Sequence, residues 1–394
     1  MTRAKISILF TVAIDVLGFG IVIPILPYYV REFGASPSTV TILFASFSLC
    51  SFLSAPFLGA LSDRWGRRPV LILSILSTAI GWFVFAGATS IPILFLGRVI
   101  DGIAAGNFVI AQSYMVDISR TENERTANLG LVSAVFGTGF LLGPMLGGTL
   151  SKVSHAFPFW MAGLLASLNC AIALLMLPES HTSRRGLRPL GFNPLGPLRT
   201  AILDKRLRLV YGTWLLFALA FVTGQSVFAL FAMDVFGFSA FQTGMAFAVV
   251  GMVVVLNQTL LLKRFWVKRF VDMQLVTIML TVLGIALLCI ASEIEWLFYV
   301  SLVGLGTGQA VLRVVITSQV AGASDPAEKG EKLGILSALM SFAMVVAPVL
   351  AGTLFEIDHA IPYVLAALLL FVAVVPVVRG RGGSLIPPAD RPVT

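Results

Sequence analysis

Polar and apolar positions fall in long blocks along this chain, and the apolar blocks are nearly continuous. Each block is about 20 residues long, which in a helix rising about 1.5 Å per residue covers the hydrocarbon core of a bilayer. Strands of a membrane barrel would instead alternate between apolar and polar positions. The pattern therefore predicts twelve membrane-spanning helices. The predicted segments, numbered 1 to 12, are 6–30, 38–61, 69–89, 91–116, 127–149, 157–177, 208–233, 241–262, 273–291, 296–320, 332–354 and 361–378.

The composition supports a membrane protein. Of 394 residues, 58% are hydrophobic and 12% are charged, whereas soluble domains carry about 25% charged residues. Lipid offers no hydrogen-bond partners to the backbone, so the predicted fold class is an all-α membrane protein. Cys50, Cys170 and Cys289 all fall inside predicted segments, and we expect them to be small buried hydrophobic residues rather than disulfides.

Basic residues are distributed unevenly between the two sides of the predicted helices. Of the 27 Lys and Arg residues, 23 lie at the termini or in the connections that follow segments 2, 4, 6, 8 and 10. Arg31 and Lys152 lie on the opposite side, and Arg98 and Arg313 lie within segments. Short cytoplasmic loops are enriched in Lys and Arg, so this bias places both termini in the cytoplasm. The net charge of +8 then reflects topology, and we expect an inner-membrane protein with no nucleic-acid partner.

The two halves of the chain are related in sequence. When residues 129–150 are shifted by 204 positions onto 333–354, nine of 22 positions are identical, including Pro144 with Pro348 and Gly148 with Gly352. Segment 5 therefore corresponds to segment 11, which predicts two parallel repeats of six helices. The predicted domains are an N-terminal bundle (1–178), a cytoplasmic linker (179–207), a C-terminal bundle (208–380) and a cytoplasmic tail (381–394).

The loop between segments 2 and 3 holds more than a turn needs. Glycines permit close approach of backbones. An acid among three arginines would not help a loop whose only role is to bind anionic lipid. The residues concerned are Gly59, Leu61, Asp63, Arg64, Gly66, Arg67 and Arg68. This run resembles the loop signature of the major facilitator superfamily. The resemblance implies a cytoplasmic gate. In this gate, Asp63 meets the N-terminal end of segment 11, and Arg67 pairs with Asp117.

Segment 5 carries a glycine-rich face that permits close helix packing, with one proline that bends the helix. The residues are Gly139, Gly143, Pro144, Gly147 and Gly148. Small residues at this spacing also occur in ordinary membrane helix pairs. The whole pattern, however, resembles the antiporter signature found in drug exporters of the same superfamily, which implies export rather than import.

Three ionisable residues lie near the predicted membrane centre. Counting about 1.5 Å per residue from the helix ends places Arg98 about 10 Å deep, and Asp101 and Asp15 about 15 Å deep. Such groups are costly in lipid and are by default functional, although they sometimes only neutralise one another. Arg98 and Asp101 are three residues apart, so they share a helix face and can pair. Asp15 has no basic neighbour on its own segment.

These charges also match a family pattern in part. Arg98 and Gly102 resemble the family's helix 4 motif, whose arginine is linked to proton transfer, and Asp101 departs from the residue usual there. Segment 1 resembles tetracycline-type efflux pumps. Those pumps carry further acids on helices 3 and 9, whereas here residues 79–82 and 273–291 contain none. We expect Asp15 to carry the proton, with Asp101 as the alternative.

The sequence therefore predicts a proton-coupled secondary transporter that exports small hydrophobic or amphipathic molecules by alternating access, as a monomer. An exporter of amphipathic lipids or natural products on the same fold is the alternative. Gln225, Asn257 and Gln309 either line the cavity or join helices. An enzyme is not expected, since His155, His181 and His359 all fall in loops. The chain shows no phosphate-binding loop, and we predict no metal and no cofactor.

Overall fold

The chain folds into helices, and the described residues contain no strand. The computed structural model describes residues 3–119, 121–180, 196–325 and 328–379. The helices are α1 (Arg3–Arg31), α2 (Pro37–Trp65), α3 (Arg67–Ala86), α4 (Ile91–Ile103), α5 (Asn107–Asp117), α6 (Glu122–Leu150), α7 (Phe157–Met176), α8 (Gly196–Leu203), α9 (Arg208–Phe236), α10 (Ala240–Leu256), a π-helix (Asn257–Trp266), α11 (Val267–Arg269), α12 (Asp272–Ala291), α13 (Glu295–Ala323), α14 (Lys329–Ile357) and α15 (Ile361–Arg379).

Twelve spans in the described part of the chain are long and apolar enough to cross a membrane. They fall on the twelve predicted segments, so the predicted fold class is confirmed. Local sequence explains several ends: Ser36 accepts a hydrogen bond from the Thr39 amide at the start of α2, and Thr121 does the same for Glu124 at the start of α6. Residues 181–195 of the predicted linker, with His181, and the predicted tail 381–394 lie outside the described residues.

Segment 4 is not the continuous helix that the apolar pattern predicts, because it breaks between α4 and α5. Hydroxyl groups of neighbouring helices hydrogen bond to carbonyl groups at the end of α4. Ser77 donates to the Ile100 carbonyl at 2.6 Å, and Ser54 donates to the Gly102 carbonyl at 3.1 Å. The Gly102 carbonyl also accepts from the Ala105 amide at 3.2 Å, one residue short of the α-helical partner.

Segment 8 also departs from a regular α-helix, since α10 continues as the π-helix and then as α11. The π-helix buries Asn257 and exposes its basic residues. Asn257 donates to the Val253 carbonyl at 2.9 Å and to the Thr307 hydroxyl at 3.1 Å, and it accepts from the Trp266 indole at 3.0 Å. The amide therefore ties this irregular stretch to α13.

The chain divides into two compact units. The first contains residues 1–194 and 229–248, and the second contains residues 195–228 and 249–394. In the first unit, a buried cluster around Ile8, Tyr114 and Met115 joins α1 to α5. In the second, Ala218 on α9 packs with Ala343 on α14. Large apolar side chains also lie exposed along the spans, as expected of helices whose outer faces contact lipid.

Residues 229–248 hold to the first unit through polar contacts at the ends of α1 and α6. Arg31 forms an ion pair with Asp234 at 2.6 Å. The Tyr28 hydroxyl donates to the Phe238 carbonyl at 2.7 Å. The ammonium group of Lys152 lies 3.7 Å from the ring centroid of Phe241. These contacts anchor the end of α9 and the start of α10 within the first unit.

Candidate functional site

Arg98 and Asp101 form a buried ion pair on α4, as their spacing predicts. An Arg98 amino group lies 3.1 Å from an Asp101 carboxylate oxygen, and the side chains are only 4% and 6% exposed. Three aromatic rings surround the guanidinium group. Their centroids lie 4.2 Å (Trp82), 5.1 Å (Phe85) and 5.3 Å (Phe47) from its central carbon atom. Cation–π attraction and the carboxylate together offset the loss of hydration of Arg98.

Asp15 lies on α1 and is half-buried. Its carboxylate accepts a hydrogen bond of 2.7 Å from the side-chain amide of Asn107, the first residue of α5. The same amide nitrogen lies 3.3 Å from the Thr78 hydroxyl, and Thr78 is also a neighbour of Asp101. Asp15 makes no ion pair with Arg98 among the described residues. Two neutral side chains, Asn107 and Thr78, therefore lie between the two candidate carboxylates.

Sequence reasoning missed Asn107, Thr78 and the aromatic residues around Arg98. Asn107 gave a usable signal, since it is an amide beside a glycine within segment 4, six residues after Asp101. The helix break turns this amide toward Asp15. The aromatic residues gave no signal, because rings are common throughout these segments.

Gly81 on α3 leaves no room for a side chain beside Asp101. A Cβ atom on Gly81 would lie 2.8 Å from the Asp101 Cβ atom and 2.9 Å from the Gly97 carbonyl oxygen. Such distances are shorter than real Cβ contacts, and one of the atoms is backbone. A side chain at position 81 and Asp101 therefore exclude one another across the interface of α3 and α4.

Arg67 is the centre of the loop between α2 and α3. Its guanidinium group contacts Asp117 at 2.9 Å, Asp63 at 2.7 Å and the Ser62 hydroxyl at 2.6 Å. The Arg67–Asp117 pair is the one that the family resemblance implies. Arg68 donates to the Leu174 carbonyl at 2.7 Å, and Arg64 lies half-buried in the last turn of α2. The loop therefore joins the ends of α2, α3, α5 and α7 within the first unit.

Glu179 is a part of this loop cluster that the sequence did not reveal. Its carboxylate accepts hydrogen bonds from the backbone amides of Arg67 at 2.9 Å and Arg68 at 3.2 Å. These amides begin α3 and have no partner inside the helix, so an acid there satisfies them and complements the positive end of the helix dipole. Gly66 makes room for it with a φ of 103°.

The two glycines of the loop have different roles. A Cβ atom on Gly66 would lie 2.8 Å from the Glu179 Cδ atom, whereas a Cβ atom on Gly59 would meet nothing within 4 Å. The expectation that Gly59 permits close backbone approach is therefore wrong for the described residues. At Gly66 both the close approach and the backbone conformation require glycine.

We expect Gly66→Ala to destabilise the protein and Gly59→Ala to leave it stable. Alanine at a positive φ costs about 1 kcal/mol or more, and at Gly66 it would also displace Glu179 from the start of α3. Thermal unfolding of the two purified variants in detergent measures the difference. Equal unfolding temperatures would contradict the account of the capped turn.

The glycine face of α6 lies directly against α1. Cβ atoms built on three of its glycines would meet α1 at short range: Gly139 at 3.0 Å from the Val16 side chain, Gly143 at 2.7 Å from the Gly20 Cα atom, and Gly147 at 2.7 Å from the Ile21 carbonyl oxygen. Pro144 lies inside α6 and is buried among them. These helix backbones are therefore in direct contact.

Gly148 faces a different neighbour. Its Cβ atom would lie 3.1 Å from the Ala240 carbonyl oxygen and 3.3 Å from the Gly244 Cα atom, both at the start of α10. Residues 229–248 belong to the same unit, so this contact closes the packing of α6 on its second side.

The amides predicted as candidate cavity residues lie in the second unit. Asn257 serves the π-helix, as described above. Gln309 on α13 is 8% exposed, and Gln225 on α9 is half-buried. No group of three or more potential metal ligands occurs among the described residues.

The sequence of this chain is similar to those of known membrane proteins. The sequence matches the Major Facilitator Superfamily over residues 8–291 and 259–390. The chain belongs to the major facilitator superfamily. The class C tetracycline resistance protein of Escherichia coli is 32% identical over 396 residues, covering 96% of this chain and 97% of that protein. The quinolone resistance protein NorA of Staphylococcus aureus (strain COL) is 27% identical over 375 residues and covers 93% of each.

Solved structures agree with this superfamily fold. The human organic anion transporter MFSD10 (TETRAN) has a TM-score of 0.70 at 22% identity, covering 94% of this chain and 98% of that one. The nucleoside transporter NupG (D323A mutant) has a TM-score of 0.77 at 15% identity, covering 95% of this chain and 99% of that one. The major facilitator fold is thereby shown for this multi-pass membrane protein.

Proposed function

We propose that this chain is a proton-coupled exporter of small, hydrophobic or amphipathic drugs, with Asp15, Arg98 and Asp101 as its proton-handling residues. One observation carries the proposal: two carboxylates and an arginine lie together inside the membrane-spanning part of the first unit, where ionised groups are costly. Similarity to a tetracycline resistance protein and a quinolone resistance protein supports drugs as cargo.

The mechanism follows from the balance of charge at this cluster. Burial disfavours an ionised carboxylate, and a nearby arginine favours it. As the binding cavity opens to one side and then the other, a changing exposure of Asp15 alternately favours uptake and release of its proton. Cargo binding favours the deprotonated form, and proton entry expels the cargo. Gln225, Asn257 and Gln309 are candidate contributors to the cargo cavity.

The loop between α2 and α3 and the glycine face of α6 also have proposed roles in transport. In the proposed gate, Asp63 and Arg67 stabilise the outward-facing state together with Asp117. The antiporter motif on α6 supplies the close packing of α1 that holds Asp15 in place. The proposed domains remain 1–178 and 208–380, with the linker 179–207 between them and the tail 381–394 after them, in a monomer of the inner membrane.

Both termini and the linker are proposed to be cytoplasmic, because basic residues concentrate there. In a cysteine-free background, we expect Thr200→Cys in α8 to react with a membrane-impermeant maleimide only after the cells are opened. Ser292→Cys, in the turn between α12 and α13, is the matched control and should react in intact cells. The reverse pattern of labelling would overturn the orientation.

Transport in proteoliposomes tests the proposed function. The purified protein is reconstituted, a pH gradient is imposed, and fluxes of tetracycline and of a quinolone are followed. We expect the drug to move against its own gradient when protons move in the opposite direction, and to stop when an ionophore collapses the pH gradient. Drug flux that does not depend on the pH gradient would refute proton coupling. Movement of a fluorescent phospholipid in place of both drugs would favour the lipid exporter.

A further inference from the structure

Asn107 lies between Asp15 on α1 and Thr78 on α3. It is 4% exposed, and its amide nitrogen donates to Asp15 at 2.7 Å and lies 3.3 Å from the Thr78 hydroxyl. Its carbonyl oxygen is buried and makes no hydrogen bond among the described residues. Thr78 in turn is a neighbour of Asp101, the partner of Arg98.

The side-chain amide is suited to both protonation states of its neighbour. An ionised Asp15 can only accept hydrogen bonds, and the Asn107 NH₂ group supplies one. A protonated Asp15 carries a hydroxyl that needs an acceptor, and the unpartnered Asn107 carbonyl oxygen becomes that acceptor if the amide rotates by half a turn. Leaving the oxygen unpartnered is costly, so the observed orientation requires a compensating reason.

The same rotation changes the surroundings of Thr78. In the observed orientation, the Thr78 hydroxyl accepts from Asn107 and can donate to the Asp101 carboxylate. After the rotation, the amide presents its oxygen where its nitrogen was, and this oxygen competes with Asp101 for the single Thr78 proton. Proton uptake at Asp15 would thus weaken the support of Asp101 and change its pairing with Arg98.

We propose that Asn107 is a positioning residue that senses the protonation of Asp15 and passes it through Thr78 to the Asp101–Arg98 pair. The inference rests on the proposed proton-coupled export and adds to it a path between the two carboxylates. It also gives a role to the break between α4 and α5, because the break places Asn107 at the start of a new helix, beside Asp15.

A comparison of driven and exchange transport tests this path. Asn107→Leu removes the amide at similar volume, and Thr78→Val removes the hydroxyl at the other end of the path. Asn169→Leu is the matched control, since Asn169 is 1% exposed in the same unit but hydrogen bonds to Thr11 rather than to a carboxylate. We expect the first two variants to lower gradient-driven export by about fivefold or more, the usual range for a coupling between sites.

Drug-for-drug exchange without a pH gradient needs no net proton movement, so we expect it to stay near the wild-type rate in both variants. We also expect driven export to depend less on pH than in wild type, and the double variant to be no worse than either single one. Equal losses in driven export and exchange would reduce Asn107 to a structural role and overturn the inference. So would an Asn107→Leu variant that behaves like Asn169→Leu. A wild-type protein with no driven export would instead refute the proposed function itself.

Discussion

Asp15→Asn is expected to abolish proton-driven export while leaving drug binding at least partly intact. The substitution keeps the size of the side chain and removes its ability to ionise. Loss of a group that must take up and release a proton in each cycle lowers rates by about 100-fold or more. Drug flux under an imposed pH gradient, together with binding of the same drug to purified protein, measures both parts of this expectation.

The reason lies in the different surroundings of the two carboxylates. Asp101 has a charged partner on its own helix, because Arg98 lies 3.1 Å away. Asp15 instead faces the neutral amide of Asn107. A carboxylate near the membrane centre costs about 2.5–3.5 kcal/mol on insertion scales, and without an ion pair its charge depends on access to water. Asp15 is therefore the group whose charge is most sensitive to conformation.

Asp101→Asn provides the comparison for this prediction. It leaves Arg98 as an unpaired buried cation, so we expect lower stability in addition to slower export. If Asp101→Asn stops driven export while Asp15→Asn transports normally, the proton belongs to Asp101. If both variants export normally under a gradient, the cluster is structural and the antiport proposal fails.

Gly143→Ala is expected to have the second large effect, on folding rather than on coupling. The added methyl group would lie 2.7 Å from the Gly20 Cα atom and 2.9 Å from the Gly20 carbonyl carbon. Both neighbours are backbone atoms, so α1 and α6 must move apart. Overpacking of this kind costs about 1–3 kcal/mol, and we expect a clear fall in unfolding temperature and in the yield of folded protein.

Gly137→Ala on the same helix is the matched control. A Cβ atom at Gly137 would meet nothing within 4 Å, and alanine favours a helix over glycine by about 0.5–1 kcal/mol. We therefore expect Gly137→Ala to unfold at or above the wild-type temperature in detergent. Similar destabilisation of both variants would mean that any lost glycine on α6 is harmful, whatever its contacts.

The sequence predicted the spans well because length and apolar content are the features that a bilayer demands of a helix. It did not predict the break in segment 4. At that break, the hydroxyls of Ser54 and Ser77 on neighbouring helices hydrogen bond to carbonyl groups of α4. Contacts between distant segments are not encoded in the periodicity of either segment. The π-helix that begins at Asn257 was not predicted for the same reason.

The candidate site was predictable where a charge stands in an apolar segment. Arg98, Asp101 and Asp15 stood out because ionised groups are rare in such surroundings. Asn107 and Thr78 are uncharged, so the only signal was the amide of Asn107 inside an apolar segment, and the structure is needed to place both side chains beside Asp15 and Asp101. The role of Glu179 was not predictable either, because it depends on a contact between its carboxylate and the start of α3, which is distant in sequence.

Proton release on drug binding tests the central claim most directly. Purified protein in weakly buffered detergent solution, with a pH-sensitive dye, is mixed with tetracycline or with a quinolone. We predict that a drug that binds releases protons from the wild-type protein, and that Asp15→Asn binds the same drug without releasing them. Drug binding to the wild type without proton release, or unchanged release from Asp15→Asn, would contradict an exporter whose cargo and proton compete through Asp15.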